Sequence, residues 1–454
     1  MSLSIIILAA GQGKRMGSDL PKVLQPLAGK PLLNHVIACS RELGAADICV
    51  VYGHGGERVK AAFAGQSLRW ALQDEQLGTG HAVMQAVPET PDDNRVLVLY
   101  GDVPLLRPVT LKRLIESCGD ADAAVLTVHM DDPFGYGRIV RQNDKVIRSV
   151  EEKDATETEK AIQEINTGVF CCPADKLKGW LKRLGNDNKQ GEYYLTDVIG
   201  IAVADGVTVH GIKADSWVEI MGINDKKQLA EAERALQMRH AEALMSQGVG
   251  LADPARLDIR GTLTCGKDVF IDVNAIFEGE VILGDNVRIE ANNLIRDSKI
   301  GAGTVVHPNC HIEGATTGPN CEIGPFARMR PGAELADTVK IGNFVEIKKS
   351  TVATGSKINH LTYIGDTDIG KKVNVGAGTI TCNYDGVNKH RTTIGDGAFI
   401  GSGVELIAPV DIGAGATIGA GSTISKSAPP NELTVQRSRQ TTIKNWKAPQ
   451  KKEE

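Results

Sequence analysis

The run Ile394–Ile424, IGDGAFIGSGVELIAPVDIGAGATIGAGSTI, decides how the second half of this chain folds. Aliphatic residues fall at one fixed interval of six: Ile394, Ile400, Leu406, Ile412, Ile418 and Ile424. Gly follows at 395, 401, 413 and 419. A period of six fits neither an amphipathic helix, at about 3.6, nor a half-buried strand, at about 2. It fits a hexapeptide β-helix, in which three short strands make each triangular turn. The aliphatic side chain then points into the prism, and the small residue behind it tolerates the tight corner. Isolated aliphatic–Gly pairs are common in any sequence, but six anchors in phase are not.

The same spacing extends back towards the N-terminus. Ile271, Phe277, Leu283, Ile289 and Ile295 hold one phase; Ile323, Met329 and Leu335 a second; Val352, Ile358 and Ile364 a third; Ile369 and Val375 a fourth. Slips between phases mark corners with extra residues, and the pattern begins near Leu251. At about eighteen residues per turn, this half holds several coils. One interruption is of another kind. TCNYDGVNKHRTT, Thr381–Thr393, is too polar and too long for a corner and is predicted to bulge from the prism. A long loop on a rigid scaffold is more often functional than decorative. Beyond Ile424 the tail contains Pro, becomes basic at Arg437, Arg439, Lys444 and Lys447, and reads as irregular.

The first half is built differently. SIIILAA, DICVVYG, RVLVLYGD and DAAVLTVHM read as buried strands, and PLLNHVIACSREL, TGHAVMQAV and TLKRLIES as helices between them. That alternation predicts an α/β domain of the Rossmann-like kind, a mostly parallel sheet with helices on both faces. Ligands in such folds sit beyond the carboxyl ends of the strands. Asp225 to Gly248 reads as one amphipathic helix with a stripe of Leu229, Ala232, Leu236, Ala243 and Leu244, stopped by Gly248 and Gly250. The expected division is a domain over 1–226, a helical linker over 227–248 and the β-helix over 249–454.

A chain of 454 residues exceeds one hydrophobic core. Its hydrophobic fraction of 42% is that of an ordinary globular protein, and a net charge of -5 gives no reason to expect a nucleic-acid partner. No stretch is long enough to span a bilayer. The N-terminus, MSLSIIILAAG, lacks a basic n-region and reads as a buried first strand. Nine cysteines without a C-x-x-C pair suggest a reducing compartment, the cytoplasm, and neither a disulfide framework nor a zinc site.

The first strand runs into LAAGQGKRMGSDLPKVL. Gly11 and Gly13 allow close backbone approach to a ligand, the loop N–H groups can form an anion-binding nest, and Arg15 and Lys22 add positive charge. The loop is not a Walker A motif, because Arg15 follows Gly13-Lys14, and its third Gly, Gly17, comes one place late for the dinucleotide fingerprint. In LYGDVPLL, Asp102 ends a strand. Taken alone it is a turn-starting Asp or a Mg²⁺ ligand, since Mg²⁺ takes one or two carboxylates plus substrate phosphates. In MGIND, Asn224 could cap the following helix, but Asp225 can do so equally well.

The phrase L-A-A-G-x-G-x-R-M followed by P-K resembles the signature of the sugar-nucleotide nucleotidyltransferases, with Lys14 where many members have Thr. The resemblance implies that Leu8, Ala9, Ala10, Gly11 and Lys22 wrap a nucleoside triphosphate. It implies that Gln73, Gly78 and Thr79 meet the uracil base, and that Tyr100, Gly101, Gly137, Glu151 and Asn166 meet sugar and nucleotide. Asp102 and Asn224 would hold Mg²⁺. The implied reaction is in-line attack of a sugar-1-phosphate oxygen on the α-phosphorus of UTP, with pyrophosphate leaving. Catalysis is then positioning and charge neutralisation by Mg²⁺, Arg15 and Lys22.

In the second half, INHLTYIGDTDIGKKVNVGAGTITCNYDG is the informative stretch. Most lone histidines are incidental, but His360 lies within one coil of Asn374 and near the interrupting loop. An imidazole can take a proton from an attacking amine near neutral pH. Arg330 and Lys348, one coil apart, are surface charges or a site for a sugar phosphate. Over nearly its whole length the chain resembles the bifunctional N-acetylglucosamine-1-phosphate uridyltransferase/glucosamine-1-phosphate N-acetyltransferase family. H-L-T-Y-I-G-D, N-x-G-A-G-T-I-T-C-N-Y-D-G and R-P-G-A carry that likeness, which makes the β-helix left-handed.

The likeness implies that His360 is the general base and that Arg330, Lys348, Tyr363 and Asn374 hold the acetyl acceptor. Ala377, Asn383, Tyr384, Lys389, Ser402, Ala420 and Arg437 would line the acetyl-CoA site. It further implies a homotrimer built through the β-helix, with acetyl transfer preceding uridyl transfer. Two other readings compete: a single-activity nucleotidyltransferase with a structural β-helix, and a binding protein on a trimerisation stalk. The first predicts a plain coil without the loop and the His360–Tyr363 pair; the complete Gly11–Lys22 loop with Asp102 argues against the second.

Overall fold

The protein is described here by a computed structural model covering residues 1–11, 13–53 and 55–451. It divides into two compact units, Met1–Leu236 and Gln237–Glu454.

The first unit is organised by one sheet. Its strands run, edge to edge, Val209–Lys213, Ala123–His129, Glu164–Pro173, Arg95–Tyr100, Leu3–Leu8, Asp47–Gly53 and Arg69–Gln73. Neighbours are parallel, except that Glu164–Pro173 is antiparallel to both its neighbours. The central strands are buried on both faces, which is why Ile5, Ile6 and Ile7 and also Val96 to Leu99 read as unbroken apolar runs. Helices cover them with one buried stripe each: Leu32, Leu33, Val36 and Ile37 in Leu32–Glu42, and Thr110, Leu111 and Leu114 in Pro108–Ser117. A hairpin, Gly137–Gln142 with Lys145–Val150, branches from the antiparallel strand. Leu8 lies opposite Tyr100, so the Gly-rich loop and the Asp102 turn emerge side by side at the carboxyl ends of adjacent strands.

The predicted amphipathic helix spans Lys226–Ser246, and the boundary between units falls inside it. Ala232 and Leu236 pack with Leu27, Leu32, Leu105 and Ile223 of the first unit. Ala241 and Leu244 pack with Leu257 and Ile259 of the second. One position of the expected stripe is wrong: Ala243 is exposed and Ala241 is buried in its place. At 3.6 residues per turn, 237, 241 and 244 share a line and 243 does not. Gln237 marks that line, exchanging two hydrogen bonds with the Ile259 backbone at 2.7 and 2.9 Å.

The second unit is a left-handed parallel β-helix with three walls. One wall stacks Lys340, Lys357, Asn374, Phe399, Thr417 and Leu433. The next stacks Glu346, Tyr363, Ile380, Glu405 and Thr423. The third stacks Thr351, Asp368, Thr393 and Asp411. The hexapeptide anchors quoted above are all buried in one continuous core.

The glycines after the anchors have a different reason from the one the period suggests. A Cβ on Gly395 or Gly401 would lie 2.5 Å from the backbone nitrogen of Ala414 or Ala420 on the next coil. These glycines therefore permit close stacking, whereas the left-handed backbone falls two places later, at Gly397 and Gly403.

One corner of the prism repeats a left-handed residue coil after coil: Asn274, Asn292 and Asn309, then Phe326, Phe344 and Leu361, then Gly378, Gly403 and Gly421. Asn and Gly suit that conformation; a bulky side chain pays roughly 1–2 kcal/mol for it. Phe326, Phe344 and Leu361 have φ of 56°, 56° and 49° and are exposed, with the two rings stacked 5.2 Å apart.

The predicted bulge is present but shorter than its sequence bounds. Ile380–Cys382 and Thr392–Ile394 are strands, so the loop is residues 383–391. Thr381 and Thr392 are buried, and Thr381 serves inside the prism, its Oγ1 accepting the Gly365 N–H at 2.8 Å.

Because Ile400 is fully buried mid-stack, Ile400→Ala should cost the β-helix about 2–5 kcal/mol. Calorimetry should show a lowered transition for the second unit, with the first unit's transition unmoved.

Candidate active sites

In the first unit, a cavity of about 280 Å³ opens where the sequence places the nucleotide. Leu8, Ala9, Ala10, Gly11, Lys22, Gln73, Gly78, Thr79, Tyr100 and Asp102 line it together. Val23, Gln76, Ala82 and Glu192 complete the lining and were not singled out from sequence. Gln76 lies within the stretch EQLGTGHA, and its amide donates to the Ala10 carbonyl at 2.5 Å. Gly13 has φ +62°, and a Cβ there would lie 2.6 Å from Lys22 Cβ, so glycine lets the loop close onto the lysine. Gln73 is held by its Nε2 donating to the Gly78 carbonyl at 3.1 Å.

The cationic centre of this site is Lys22. Its Nζ donates to Asp102 Oδ2 at 2.5 Å and to Asn224 Oδ1 at 3.1 Å. Two residues more than a hundred positions apart thus converge their oxygens on one cation. Asn224 is available for this because Asp225 caps the helix, accepting the Gln228 N–H at 2.9 Å. Among the described residues no group of three or more His, Cys, Asp or Glu could hold a metal. A divalent ion here would therefore have one carboxylate and one amide oxygen from the protein, a set that suits Mg²⁺ completed by phosphates and water.

Arg15 stands exposed on a short 3₁₀ turn, Lys14–Met16, outside the cavity lining. Gly101 bonds through its N–H to Leu8 O at 2.9 Å, at the carboxyl end of the neighbouring strand. Gly137, Glu151 and Asn166 form a second group. Gly137 pairs with Asn166, and Asn166 Nδ2 donates to Ser149 Oγ at 3.0 Å. Glu151 accepts the Thr196 hydroxyl at 2.9 Å and lines a separate cavity with Asp154 and Tyr194. Burial raises the Glu151 pKa, with the Thr196 bond opposing it and Asp154 and Glu192 reinforcing it. Burial likewise pushes the Tyr100 phenol well above its usual value, aided by Glu151 and Asp102, so it remains a hydrogen-bond donor.

In the second unit, His360 sits exposed at a prism corner. Its Nδ1 lies 2.9 Å from Asn343 Oδ1, one coil below. That oxygen only accepts, so Nδ1 donates, and in the neutral imidazole the lone pair is on Nε2. The same corner position on succeeding coils is filled by Ala377, Ser402 and Ala420. The ladder is continuous: Gly378 N–H bonds to His360 O at 3.2 Å, Gly403 to Ala377 O at 2.7 Å and Gly421 to Ser402 O at 2.8 Å. Small side chains thus follow the imidazole along this edge. Arg437 reaches the top of it, its guanidinium lying over Gly419.

Beside this edge the charged residues gather. Lys348 Nζ lies 3.7 Å from Asp366 Oδ2, which also accepts Asn383 Nδ2 at 2.5 Å. Lys389 joins them from the loop: contact with Lys348 lowers its pKa, and Asp366 and Tyr363 act the other way. Lys389 is thus grouped with Lys348. Arg330 donates to Glu346 at 2.9 Å, and Glu346 is paired in register with Tyr363. Tyr384 faces Lys389 across the loop. Asn374 is on the wall that leads into the His360 corner, stacked on Lys357.

Comparison with known proteins places both halves. A MobA-like NTP transferase domain model matches residues 5–170, and a bacterial transferase hexapeptide model of six repeats matches residues 391–426. A protein of Aromatoleum aromaticum described as "Bifunctional protein GlmU" is 58% identical over 451 residues, covering 99% of both chains. Proteins of the same description from Azoarcus sp. and Acinetobacter baumannii are 57% and 54% identical, each covering 99% of this chain and 100% and 99% of their own.

The chain belongs to the GlmU family.

As a GlmU protein it is a bifunctional transferase. It acetylates glucosamine-1-phosphate with acetyl-CoA and transfers uridylyl from UTP to N-acetylglucosamine-1-phosphate, releasing pyrophosphate. The reading of the β-helix as a mere support is not favoured. No helix among the described residues is long and apolar enough to cross a membrane.

Asn343 is the residue of this GlmU chain that sequence reasoning missed most plainly. The signal was available in the coil spacing, seventeen residues from His360. Asn343→Ala leaves His360 free to rotate and to take the other tautomer. The acetyl-transfer kcat should fall about 10- to 100-fold, measured as thiol release, while pyrophosphate release from N-acetylglucosamine-1-phosphate and UTP is unchanged.

Proposed function

We propose that the two activities use two separate sets of residues, each within its own unit. The observation that carries this is the stack of Asn343, His360, Ala377, Ser402 and Ala420 along one edge of the β-helix. A catalytic base at the foot of an edge occupied by small residues suits an extended thioester lying along that edge. His360 Nε2 takes a proton from the glucosamine amine as the nitrogen attacks the acetyl carbonyl; the thiolate of CoA leaves. Arg330, Lys348 and Tyr363 hold the sugar phosphate, with Asn374 on the adjoining wall. Asn383, Tyr384, Lys389 and Arg437, together with Ala377, Ser402 and Ala420, hold acetyl-CoA.

In the first unit, Leu8 to Gly11, Gln73, Gly78 and Thr79 hold UTP. Tyr100, Gly101, Gly137, Glu151 and Asn166 hold the N-acetylated sugar phosphate. Asp102 and Asn224 hold Mg²⁺, which supplies charge neutralisation on the phosphates. Lys22, and Arg15 from the flanking turn, balance the remaining negative charge as the sugar-phosphate oxygen displaces pyrophosphate. No protein nucleophile is required.

Acetyl transfer comes first, and its product feeds the uridyl site. Hexapeptide repeats are compatible with oligomerisation, and we infer a homotrimer assembled through the β-helix. The nine cysteines, all free thiols, support a cytoplasmic location.

Following thiol release from glucosamine-1-phosphate and acetyl-CoA, and separately pyrophosphate release from N-acetylglucosamine-1-phosphate and UTP, tests the division. Asp102→Ala should abolish pyrophosphate release and leave thiol release intact, and His360→Ala should do the reverse. Loss of both signals in either variant would argue against separate sites. Sedimentation of the intact enzyme should give three chains; a monomer would overturn the inferred homotrimer.

A further inference from the structure

Among the described residues the loop 383–391 is the one place where the coil spacing stretches, from seventeen residues between Thr351 and Asp368 to twenty-five between Lys371 and Asp396. It has no apolar core: Tyr384 and Val387 are exposed. Its shape depends on polar bonds, and four of them meet at Asp385. Asp385 Oδ1 accepts the N–H groups of Val387 and Asn388 at 2.8 and 2.6 Å, which turns the tip. Asp385 Oδ2 receives His390 Nε2 at 2.7 Å from the returning strand. The backbone closes the same ring, with His390 N–H bonded to Asn383 O at 2.8 Å and Asp385 N–H to Asn388 O at 3.1 Å.

One carboxylate therefore ties the outgoing strand, the tip and the returning strand together. The His390 bond is also the foremost cause of the depressed Asp385 pKa, followed by the two loop amides. The residues carried between these ties are those that face the acetyl-transfer site. Asn383 reaches Asp366, Lys389 reaches Lys348, and Tyr384 sits opposite Lys389. His390 itself points back to Asp385.

We propose that His390 is a positioning residue for the acyl donor: its bond to Asp385 locks the loop in the shape that presents Asn383, Tyr384 and Lys389 to acetyl-CoA. This rests on the assignment of those three residues to the donor. Without the imidazole the returning strand loses its only side-chain tie to the tip among the described residues, and the loop samples shapes that cannot receive the donor. Chemistry at His360 Nε2 is untouched once the donor is seated, so binding suffers before rate.

The test uses the full-length enzyme, with thiol release measured over a range of acetyl-CoA at saturating glucosamine-1-phosphate, and then the converse. His390→Ala should raise the KM for acetyl-CoA roughly three- to tenfold, with kcat changed less than twofold. His390→Gln, whose amide can still donate to Asp385, should recover most of the loss. Uridyl transfer should be unchanged in both, which controls for folding. Tyr384→Ala, run in parallel, separates the two levels of the argument. If Tyr384→Ala raises the acetyl-CoA KM and His390→Ala does not, the lock is refuted while the donor assignment survives. If neither moves it, the donor assignment itself fails and the lock falls with it. A KM change confined to glucosamine-1-phosphate would also overturn the proposal.

Discussion

Each coil of the β-helix lies one strand spacing from the next, roughly 4.8 Å, and this contact is possible only because the residues at the points of closest approach have no side chain. Gly395 and Gly401 are such points, facing the backbone of Ala414 and Ala420. Everything functional in the second unit follows from that stacking. It turns a separation of seventeen residues into direct contact, so that Asn343 meets His360 and Ala377 stands above it. The buried aliphatic ladder keeps the register, because a slip of one residue would turn Ile394, Ile400 and Leu406 outward. Catalytic geometry here is a by-product of a core that has no other arrangement.

The first unit reaches a comparable result by another route. Its sheet sets Leu8 against Tyr100, so two loops from distant parts of the chain share one rim. Asn224 arrives from the turn that precedes the long helix, and Asp225 relieves it of capping duty. The local division of labour between two adjacent residues is what frees an amide oxygen to join Asp102 around a cation.

Much of this was legible in the sequence, for physical reasons. The six-residue period names the fold because only inward residues are constrained at that interval; every anchor read from it is buried. The four strands read from apolar runs are strands because both their faces are covered. The illegible parts have causes too. The antiparallel strand Glu164–Pro173 carries Asn166 and Thr167 within it and so breaks the apolar run by which it would be recognised. Ala243 was misplaced on the long helix because alanine is apolar enough to suit either face. Gln76 and Glu192 are polar residues whose role appears only when the chain closes round the cavity. Arg15, by contrast, lay in a recognisable phrase yet stands outside the cavity lining. The phrase identifies the loop without fixing where each of its side chains points.

The left-handed corner bears on how this protein would change under different selective pressures. Phe326, Phe344 and Leu361 occupy a conformation that Asn274, Asn292 and Asn309 adopt at little cost on the coils before them. A screen for heat tolerance alone would therefore favour replacing those three residues with asparagine or glycine. They lie one residue from Pro325, Asn343 and His360, along the edge that becomes glycine-rich just above the imidazole. An ancestral or consensus design that smoothed this edge would gain thermal tolerance where the wild-type sequence has kept bulk, and activity would have to be selected alongside stability for the difference to be noticed.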